Sequence, residues 1–338
     1  NHMLIKTDHR DCPGVFIDRS ARVRLEDVTL YHAGGMGVIA QNSRDITLER
    51  VRIVPRPGSG RLFSALVDAT HFVDCTGGVT MRDCHFEGQL DDGTNFHGNY
   101  LRVIDQPDSR HVFARLMHAQ QRGAFTYAPG DTVEVLRESD TARIHENAIA
   151  SVSPINAEVA LVELDRDAPN LMGANALLMK RERAFRGLIE RCTFGYNRAR
   201  SILIYHHGDI EIRNCTLRSP MAGLHCGGLG LHHVHESGPI DHLLVEDCLF
   251  DRCGYATDRH PILAVPTNAF GTMEQPFHDT ITIRNNEFRL SSDKLFRIRG
   301  VRSFTFAGNA VSRADGAQLS LEQTERIVEE PVGTVSYR

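Results

Sequence analysis

One short pattern recurs along this chain and limits the folds that it can adopt. Two or three alternating apolar residues are followed by a short polar pair, a small residue and a large apolar residue. The pattern reads VRLEDVTL at 23–30, ITLERVRI at 46–53, VTMRDCHF at 79–86, LIERCTF at 188–194, IEIRNCTL at 210–217, LLVEDCLF at 243–250, ITIRNNEF at 281–288 and FTFAGNAV at 304–311. Alternation over such short runs is typical of β-strands. The chain is therefore predicted to be all-β and built from similar short-strand units.

The spacing of the units favours a parallel β-helix, in which each coil stacks on the previous one. Successive starts lie 23 and 33 residues apart in the first part of the chain, and 33, 38 and 23 residues apart in the second. A period of roughly 23 residues with variable loops is typical of such a solenoid, because no coil can bury its apolar face alone. Asn and Asp at the predicted bends suit left-handed backbone conformations. These residues are Asp27, Asp83, Asn214, Asp247 and Asn285.

The cysteines follow the same repeat. Four of the eight share one repeat position, which in other units is held by valine or asparagine. These are Cys84, Cys192, Cys215 and Cys248, with Val28, Val51, Asn286 and Asn309 at the same position. We expect this column to stack inside the solenoid, where a free thiol behaves as a small hydrophobe. A redox or metal-binding role for the column is the alternative.

The repeat is interrupted between about residues 101 and 182. This interval contains APGDTVEVL at 128–136, ARIHENAIASVS at 142–153 and EVALVEL at 158–164. Alternating strands behind a Pro-Gly-Asp turn predict a small antiparallel barrel or sandwich inserted between two coils. The predicted division is a first β-helix part at 4–100, an inserted β domain at 101–182, a second β-helix part at 183–311 and a C-terminal cap or tail at 312–338.

One acidic motif occurs twice. The stretch DATHF at 68–72 is echoed by DGTNF at 92–96. Aligning the two places Asp68 and Asp92 at equivalent positions on neighbouring coils, about 4.8 Å apart. If residues 90–93 are extended, Asp91 points to the other side of the strand from Asp92.

This doubled motif favours a catalytic site. Two like charges at that separation resist simultaneous ionisation, so at least one carboxyl pKa should rise, as general acid and base catalysis needs. The alternative is that these acids cap turns, as Asp commonly does in loops. The echo, with His71, Asn95 and His97 nearby as candidate substrate-binding residues, favours function.

Two further segments carry candidate substrate-binding residues. HCGGLGLHHVHESGPID at 225–241 offers His235 and Glu236 just before a predicted strand. Its HHxH spacing matches no established zinc pattern, so hydrogen bonding to sugar hydroxyls or simple surface exposure is expected there. YNRARSILIYHHGD at 196–209 offers Arg198 and His206, which either bind substrate or form a solvated edge.

The overall composition excludes several function classes. A formal net charge of -5 leaves no basic patch that would indicate nucleic-acid binding. No apolar run approaches roughly 18 residues, so no membrane span is predicted. The opening Asn-His-Met is typical of a cloning scar and is left out of the fold prediction.

Four blocks resemble glycoside hydrolase family 110, the α-1,3-galactosidases that remove terminal α-linked galactose. They are HAGGMGVIAQ at 32–41, PGSGRLFSALVDATHFVDCTG at 57–77, GQLDDGTNFHG at 88–98 and ESGPIDHLLVEDCLF at 236–250. The resemblance implies a right-handed β-helix enzyme with a carbohydrate substrate, acting by inversion without metal or cofactor. It also implies a secreted or periplasmic location and makes a homodimer plausible.

Carried over by position, the acidic site residues of that family fall on Asp68, Asp91 and Asp92. We expect Asp68 and Asp92 to hold and activate water while Asp91 protonates the leaving oxygen. An inverting site needs its base and acid roughly 6.5–9.5 Å apart, which an acid on the opposite face of the strand would provide. Two other functions remain open, a polysaccharide lyase or epimerase and a non-catalytic carbohydrate-binding solenoid.

Overall fold

The computed structural model describes residues 11–181, 184–227, 235–256, 259–266 and 273–337. Its regular structure is β-strand apart from three short 3-10 helices, η1 (Ala119–Gln121), η2 (Met172–Ala174) and η3 (Leu321–Gln323). The strands before the interruption are β1 (Val15–Asp18), β2 (Ala21–Glu26), β3 (Thr29–Leu30), β4 (Val38–Gln41), β5 (Arg44–Glu49), β6 (Arg52–Ile53), β7 (Thr70–Val73), β8 (Thr76–Arg82) and β9 (His85–Glu87).

The next six strands belong to the interruption or lead into it. They are β10 (Thr94–Asp105), β11 (His111–Leu116), β12 (Thr132–Arg137), β13 (Arg143–Pro154), β14 (Val159–Leu164) and β15 (Ala176–Lys180).

The remaining strands resume the short pattern. They are β16 (Arg186–Glu190), β17 (Thr193–Gly195), β18 (Ile202–Tyr205), β19 (Asp209–Arg213), β20 (Thr216–Leu217), β21 (Leu224–Cys226), β22 (Glu236–Ser237), β23 (His242–Glu246), β24 (Leu249–Asp251), β25 (Ile262–Ala264), β26 (His278–Arg284), β27 (Glu287–Leu290), β28 (Lys294–Ala307), β29 (Ala310–Arg313) and β30 (Glu325–Tyr337).

Successive repeats pair with each other in three parallel ladders. The first ladder runs β1, β4, β7, β10, β18, β21, β25, β28 and β30. The second runs β2, β5, β8, β16, β19, β23, β26, β28 and β30. The third runs β3, β6, β9, β17, β20, β24, β27 and β29. Each sequence repeat therefore supplies one strand to the second ladder and one to the third.

The interruption folds into a closed antiparallel barrel of six strands. Its neighbours run β10, β11, β14, β13, β12 and β15, and β15 returns to pair with β10. Because β10 also belongs to the first ladder, one continuous strand joins the barrel to the stacked repeats. The predicted antiparallel β domain is confirmed as a barrel.

The bends between the second and third ladders have the predicted backbone conformation. Asp27, Asp83, Asn214, Asp247 and Asn285 all have φ between 53° and 56°. Arg50 and Arg191 occupy the same bend in other repeats, with φ of 52° and 51°. This left-handed conformation is most accessible to Gly, Asn and Asp, so the polar residues at these bends are explained by backbone geometry.

Apolar side chains of equivalent repeat positions stack in the interior. Phe72 lies on Phe96 with ring centroids 4.7 Å apart, and Phe250 lies on Phe288 at 4.5 Å. The barrel has a separate apolar core, which includes Tyr127 and Leu178. Among the residues that the structure describes, no helix is long and apolar enough to cross a membrane.

The cysteine column is buried and forms a hydrogen-bonded ladder. The Cys192 backbone N–H donates to Cys215 Sγ at 3.4 Å, and the Cys215 N–H donates to Cys248 Sγ at 3.4 Å. The Cys248 N–H then donates to Asn286 Oδ1 at 2.9 Å, and the Asn286 N–H donates to Asn309 Oδ1 at 2.9 Å. The predicted stacking is confirmed, and the side chains of Cys215, Cys248, Asn286 and Asn309 each accept a hydrogen bond from the backbone N–H of the preceding repeat.

This column generates a stability prediction. Asn286→Ala should lower the free energy of unfolding by about 2–4 kcal/mol, because it removes partners from the Cys248 N–H and from the Val245 and Arg284 carbonyls. The matched control is Glu287→Ala, which changes an exposed ion pair and should cost less than about 1 kcal/mol. Urea unfolding measures both, and equal losses would contradict the role of the asparagine.

Candidate active site

A cavity of about 320 Å³ lies between the first ladder and the barrel. Residues of β4, β7, β10 and β18, together with the loops that precede β7, β10 and β18, form one wall. His118, Gln120 and Gln121 from the barrel segment around η1 form the facing wall. Residues of the stacked repeats and of the barrel segment therefore line the cavity together.

The two echoed motifs lie in register at this cavity. In the pairing of β7 with β10, Thr70 is opposite Thr94 and His71 is opposite Asn95. Asp68 and Asp92 each lie two residues before these partners, so their predicted equivalence is confirmed. Gly93 allows the next layer to approach, because a Cβ there would lie 2.5 Å from the Ser201 carbonyl oxygen.

Asp68, Asp91 and Asp92 converge more closely than predicted. One carboxylate oxygen from each lies within 4.8 Å of the others. The prediction that Asp91 points away from Asp92, leaving a gap of roughly 6.5–9.5 Å, is wrong. Asp91 and Asp92 lie in the loop before β10 and not in an extended strand, so the alternation of side chains along a strand does not apply to them.

Arg200 holds Asp92 in a two-pronged ion pair. Its Nε donates to Asp92 Oδ1 at 2.8 Å and its Nη2 donates to Oδ2 at 2.6 Å, while the Arg200 backbone N–H also donates to Oδ1 at 2.8 Å. Burial raises the pKa of Asp92 to about 7, and the positive charge of Arg200 opposes that rise. Asp92 is therefore the carboxylate whose ionised form receives the most direct stabilisation.

Asp68 is hydrogen-bonded to His71, which is in turn hydrogen-bonded to His97. Its Oδ2 lies 2.7 Å from His71 Nδ1, and His71 Nε2 lies 2.8 Å from His97 Nε2. Asp68 Oδ1 accepts the Asp92 backbone N–H at 3.0 Å. Burial, followed by the charge of Asp91, raises the pKa of Asp68 to about 8. Asp68 thus retains a proton at a pH where an exposed aspartate has lost it.

Asp91 lies nearer the outside of the cluster. Its side chain is 18% exposed, and Oδ1 lies 3.4 Å from Nη2 of Arg198, which is 58% exposed. The Asp91 backbone carbonyl accepts a hydrogen bond from Asn197 Nδ2 at 3.0 Å, which fixes the loop. Arg198, a predicted substrate-binding residue, therefore contacts one of the clustered acids but is not among the residues that line the cavity.

The convergence of three acids is also a geometry that could hold a cation. Among the residues that the structure describes, Asp68, Asp91 and Asp92 are the one set of three or more His, Cys, Asp or Glu side chains whose ligand atoms lie this close together. Both Asp92 oxygens are already engaged by Arg200, and Asp68 Oδ2 by His71. A cation would have to compete with these partners.

The other predicted substrate-binding residues divide into two groups. Asn95, His97 and Glu236 line the cavity with His71, and the buried Asn95 Oδ1 has no hydrogen-bond partner. His206 is buried away from the cavity lining, with its ring 4.1 Å from that of Phe185.

His235 is also buried outside the cavity lining. Its carbonyl accepts the Tyr100 backbone N–H at 3.3 Å. His232 and His233 lie outside the described residues.

Three contributors were not predicted as site residues. Arg200 is one of them, although the pairing of Thr94 with Ile202 puts it opposite Asp92 in the next layer. Aligning the segment before β18 with the two motifs could have found it. Asn99 and Gln121, which are joined by a 2.8 Å hydrogen bond, come from the strand that enters the barrel and from η1. No local sequence signal identifies them.

Comparisons with known proteins show which proteins this chain is similar to. Residues 111–178 match the family described as GLAA-B beta-barrel domain II. The chain is 33% identical to alpha-1,3-galactosidase A of Shewanella woodyi over 92% of its own length and 51% of the relative. It is 29% identical to alpha-1,3-galactosidase A of Bacteroides fragilis over 93% of its length and 53% of the relative.

A third relative extends the similarity. Alpha-1,3-galactosidase B of Bacteroides thetaiotaomicron is 24% identical over 92% of this chain and 51% of the relative. The resemblance to α-1,3-galactosidases found in the four sequence blocks is confirmed, and it covers most of the chain. The chain spans about half the length of these relatives.

The raised pKa of Asp68 generates a prediction about stability and pH. Because the folded protein holds this proton up to about pH 8 and the unfolded chain releases it near pH 4, stability from this group is present at low pH and is lost as pH rises. Asp68→Asn removes the titration and keeps a donor toward His71. The melting temperature of Asp68→Asn minus that of the wild type should therefore be larger at pH 9 than at pH 5, by at least about 2 °C.

The matched control for that measurement is Asp247→Asn. Asp247 is exposed, and its left-handed conformation suits Asn equally well. Its melting temperature should follow the wild type at both pH values. If the difference in melting temperature between Asp68→Asn and the wild type is the same at both pH values, Asp68 does not retain its proton in the folded protein.

Proposed function

We propose that this chain forms the catalytic site of an exo-acting glycoside hydrolase that releases terminal α-1,3-linked galactose from oligosaccharides or glycans. The observation that carries the proposal is the convergence of Asp68, Asp91 and Asp92 in one cavity, in a chain similar to α-1,3-galactosidases over more than nine tenths of its length. Glycoside hydrolysis commonly uses paired carboxyl groups as acid and base or nucleophile.

The proposed reaction assigns water activation to Asp68 and Asp92. Two oxygens up to 4.8 Å apart can both accept hydrogen bonds from one water placed about 2.8 Å from each. The water oxygen bonds to the anomeric carbon and gives a proton to this pair. The bond from that carbon to the leaving oxygen breaks, and the Asp91 carboxyl protonates the leaving oxygen. The proton then returns from the pair to Asp91 within the cluster.

The cavity supports recognition of a single terminal sugar. Its volume of about 320 Å³ lies at the small end of the range of roughly 300–1,000 Å³ for small-molecule sites. Asn95 Oδ1 and Asn99 Nδ2 are buried polar atoms without hydrogen-bond partners, and both residues line the cavity. A buried acceptor and a buried donor are suited to sugar hydroxyl groups.

We also propose that the stacked repeats form a parallel β-helix into which the barrel is inserted. The three parallel ladders would be the faces of a right-handed parallel β-helix, with coils at residues 4–100 and 183–311. The barrel at 101–182 would be an inserted domain, and residues 312–338 would cover the last coil. Each repeat contributes successive strands to the three ladders in the same order, which supports a helical winding. The pairing of β30 with β28 supports a cap on the last coil.

The stereochemical course has two candidates. The resemblance implies inversion, whereas carboxylate oxygens within 4.8 Å are closer to the spacing of about 5–5.5 Å found in retaining enzymes. We expect inversion, so proton NMR of a galactose-α-1,3-galactose digest should first show β-galactose. Initial release of the α-anomer would exclude inversion and favour retention.

Variants of the cluster test the function itself. Asp68→Asn, Asp91→Asn and Asp92→Asn should each lower kcat/KM on an α-1,3-galactoside by about 10²–10⁴-fold, because each removes an acid or base. Asp83→Asn is the matched control, since Asp83 is a bend residue that pairs with Arg191 outside the cavity. It should retain activity.

Two other outcomes would replace the proposal. An unsaturated product that absorbs in the ultraviolet, formed from a uronate polymer, would identify a lyase. Sugar binding that survives loss of Asp68 and Asp91, with no product formed, would identify a carbohydrate-binding protein.

A further inference from the structure

The two histidines beside Asp68 form a hydrogen-bonded chain with a restricted number of proton arrangements. His97 Nδ1 lies 2.8 Å from the Gly98 carbonyl oxygen. A carbonyl oxygen only accepts hydrogen bonds, so His97 Nδ1 carries a hydrogen. Burial lowers the pKa of His97, so its ring is neutral and its Nε2 is left as an acceptor.

The state of His97 determines that of His71. The two Nε2 atoms are 2.8 Å apart, and one of them must carry the hydrogen between them. Because His97 Nε2 is an acceptor, the hydrogen is on His71 Nε2. His71 Nδ1 is then 2.7 Å from Asp68 Oδ2, and this contact also requires a proton.

That last proton can sit on either partner. If it sits on Asp68, a neutral carboxyl donates to neutral His71. If it sits on His71, an imidazolium donates to ionised Asp68. The net charge of Asp68 plus His71 is zero in both arrangements.

We propose that His97 is a positioning residue: it holds His71 in the form protonated at Nε2 and so makes Asp68 and His71 share one proton. The structural part of this inference stands on the hydrogen-bond chain, and only its catalytic consequence rests on the proposed function. The sequence predicts that His71 and His97 bind substrate, whereas here they fix the position of a proton.

The shared proton is held more firmly than it would be without His97. Loss of the shared proton leaves neutral His71 between two acceptors, Asp68 Oδ2 and His97 Nε2, each less than 3 Å from a His71 ring nitrogen. A neutral imidazole has one N–H, so one of these buried contacts would face two lone pairs without a hydrogen. With an apolar residue at position 97, His71 could place its hydrogen on Nδ1 and donate to ionised Asp68 without this conflict.

The charged and titratable groups facing this chain come from several elements. They are Asp74 after β7, Asp91 and Asp92 before β10, Arg200 before β18, Tyr205 at its end, His206 after it, Glu236 on β22 and His118 of the barrel. Glu236 Oε1 lies 3.7 Å from His97 Nε2, beyond hydrogen-bond distance. The hydrogen-bond chain from Gly98 to Asp68 therefore does not depend on a bond to Glu236.

The catalytic consequence concerns Asp68. Whenever the shared proton resides on His71, Asp68 is ionised and can accept a proton from water, even though burial alone favours its neutral form. When the pair loses the proton at alkaline pH, the cluster carries one more negative charge, which disfavours transfer of a proton from the cluster to the leaving oxygen. Hydrolysis should therefore decline as the pair deprotonates.

The test compares His97→Leu with His97→Gln. Leucine removes the acceptor for His71 Nε2–H, and the glutamine oxygen supplies another one. Long-range ¹H–¹⁵N correlation spectra of histidine-labelled protein distinguish protonated from unprotonated ring nitrogens, and His71→Gln assigns the His71 signals. His278→Asn is the control, because buried His278 accepts the Ile240 N–H through Nδ1 and does not line the cavity.

At neutral pH the wild type and His97→Gln should show His71 protonated at Nε2, as should the control. In His97→Leu the His71 hydrogen should move to Nδ1, and the pH at which the pair loses its proton should fall by about one unit or more. The alkaline midpoint of kcat/KM should fall with it and return toward the wild-type value in His97→Gln.

Wild-type His71 protonated only at Nδ1 would overturn the inference, as would identical behaviour of the leucine and glutamine variants. If His97→Leu does not fold, the wild-type and His97→Gln spectra still decide the protonation of His71. The spectra need no substrate. A protein that shows the expected pattern but hydrolyses no α-galactoside would contradict the proposed function and leave the hydrogen-bond chain intact.

Discussion

The in-register parallel pairing of successive repeats is the constraint on which the rest of this structure depends. A repeat with only two or three short strands cannot bury its apolar residues alone, so every layer needs the next one. Once the register is fixed, equivalent positions form columns. The phenylalanine stacks, the cysteine–asparagine ladder and the left-handed bends are all consequences of that register.

The candidate site uses the same constraint for a different purpose. In the interior columns, the register places similar apolar side chains on top of each other, and their contact stabilises the stack. At the cavity, it brings Asp68 beside Asp92, where like charges repel and burial disfavours ionisation. The next layer supplies Arg200 opposite Asp92, and the same layer as Asp68 supplies His71. The acids are therefore tolerated because their neighbours in the stack supply positive charge and protons.

The barrel gives this arrangement its enclosure. Strand β10 carries Asn95 and His97 in its first half and pairs with the barrel strand β15 in its second half, so the site and the barrel share one continuous strand. Tyr127 of the barrel donates to the Asn99 carbonyl at 2.6 Å, which fixes the strand as it leaves the ladder. Gln121 of the barrel segment lines the same cavity as Asp68 and Asp92, and burial raises the pKa values of both carboxyls.

The sequence by itself determined the periodic features, because they arise from local patterns that every repeat obeys. These features are the all-β character, the repeat boundaries, the buried cysteine column, the interruption that became a barrel, and the equivalence of Asp68 with Asp92. The resemblance to α-1,3-galactosidases was also readable there. Only the tertiary structure decided the position of Asp91, since this residue lies in a loop whose path is set by Asn197 and Arg198 more than 100 residues away. It also decided that His71 and His97 bond to each other, because distances between side chains of adjacent layers are not encoded in either segment alone.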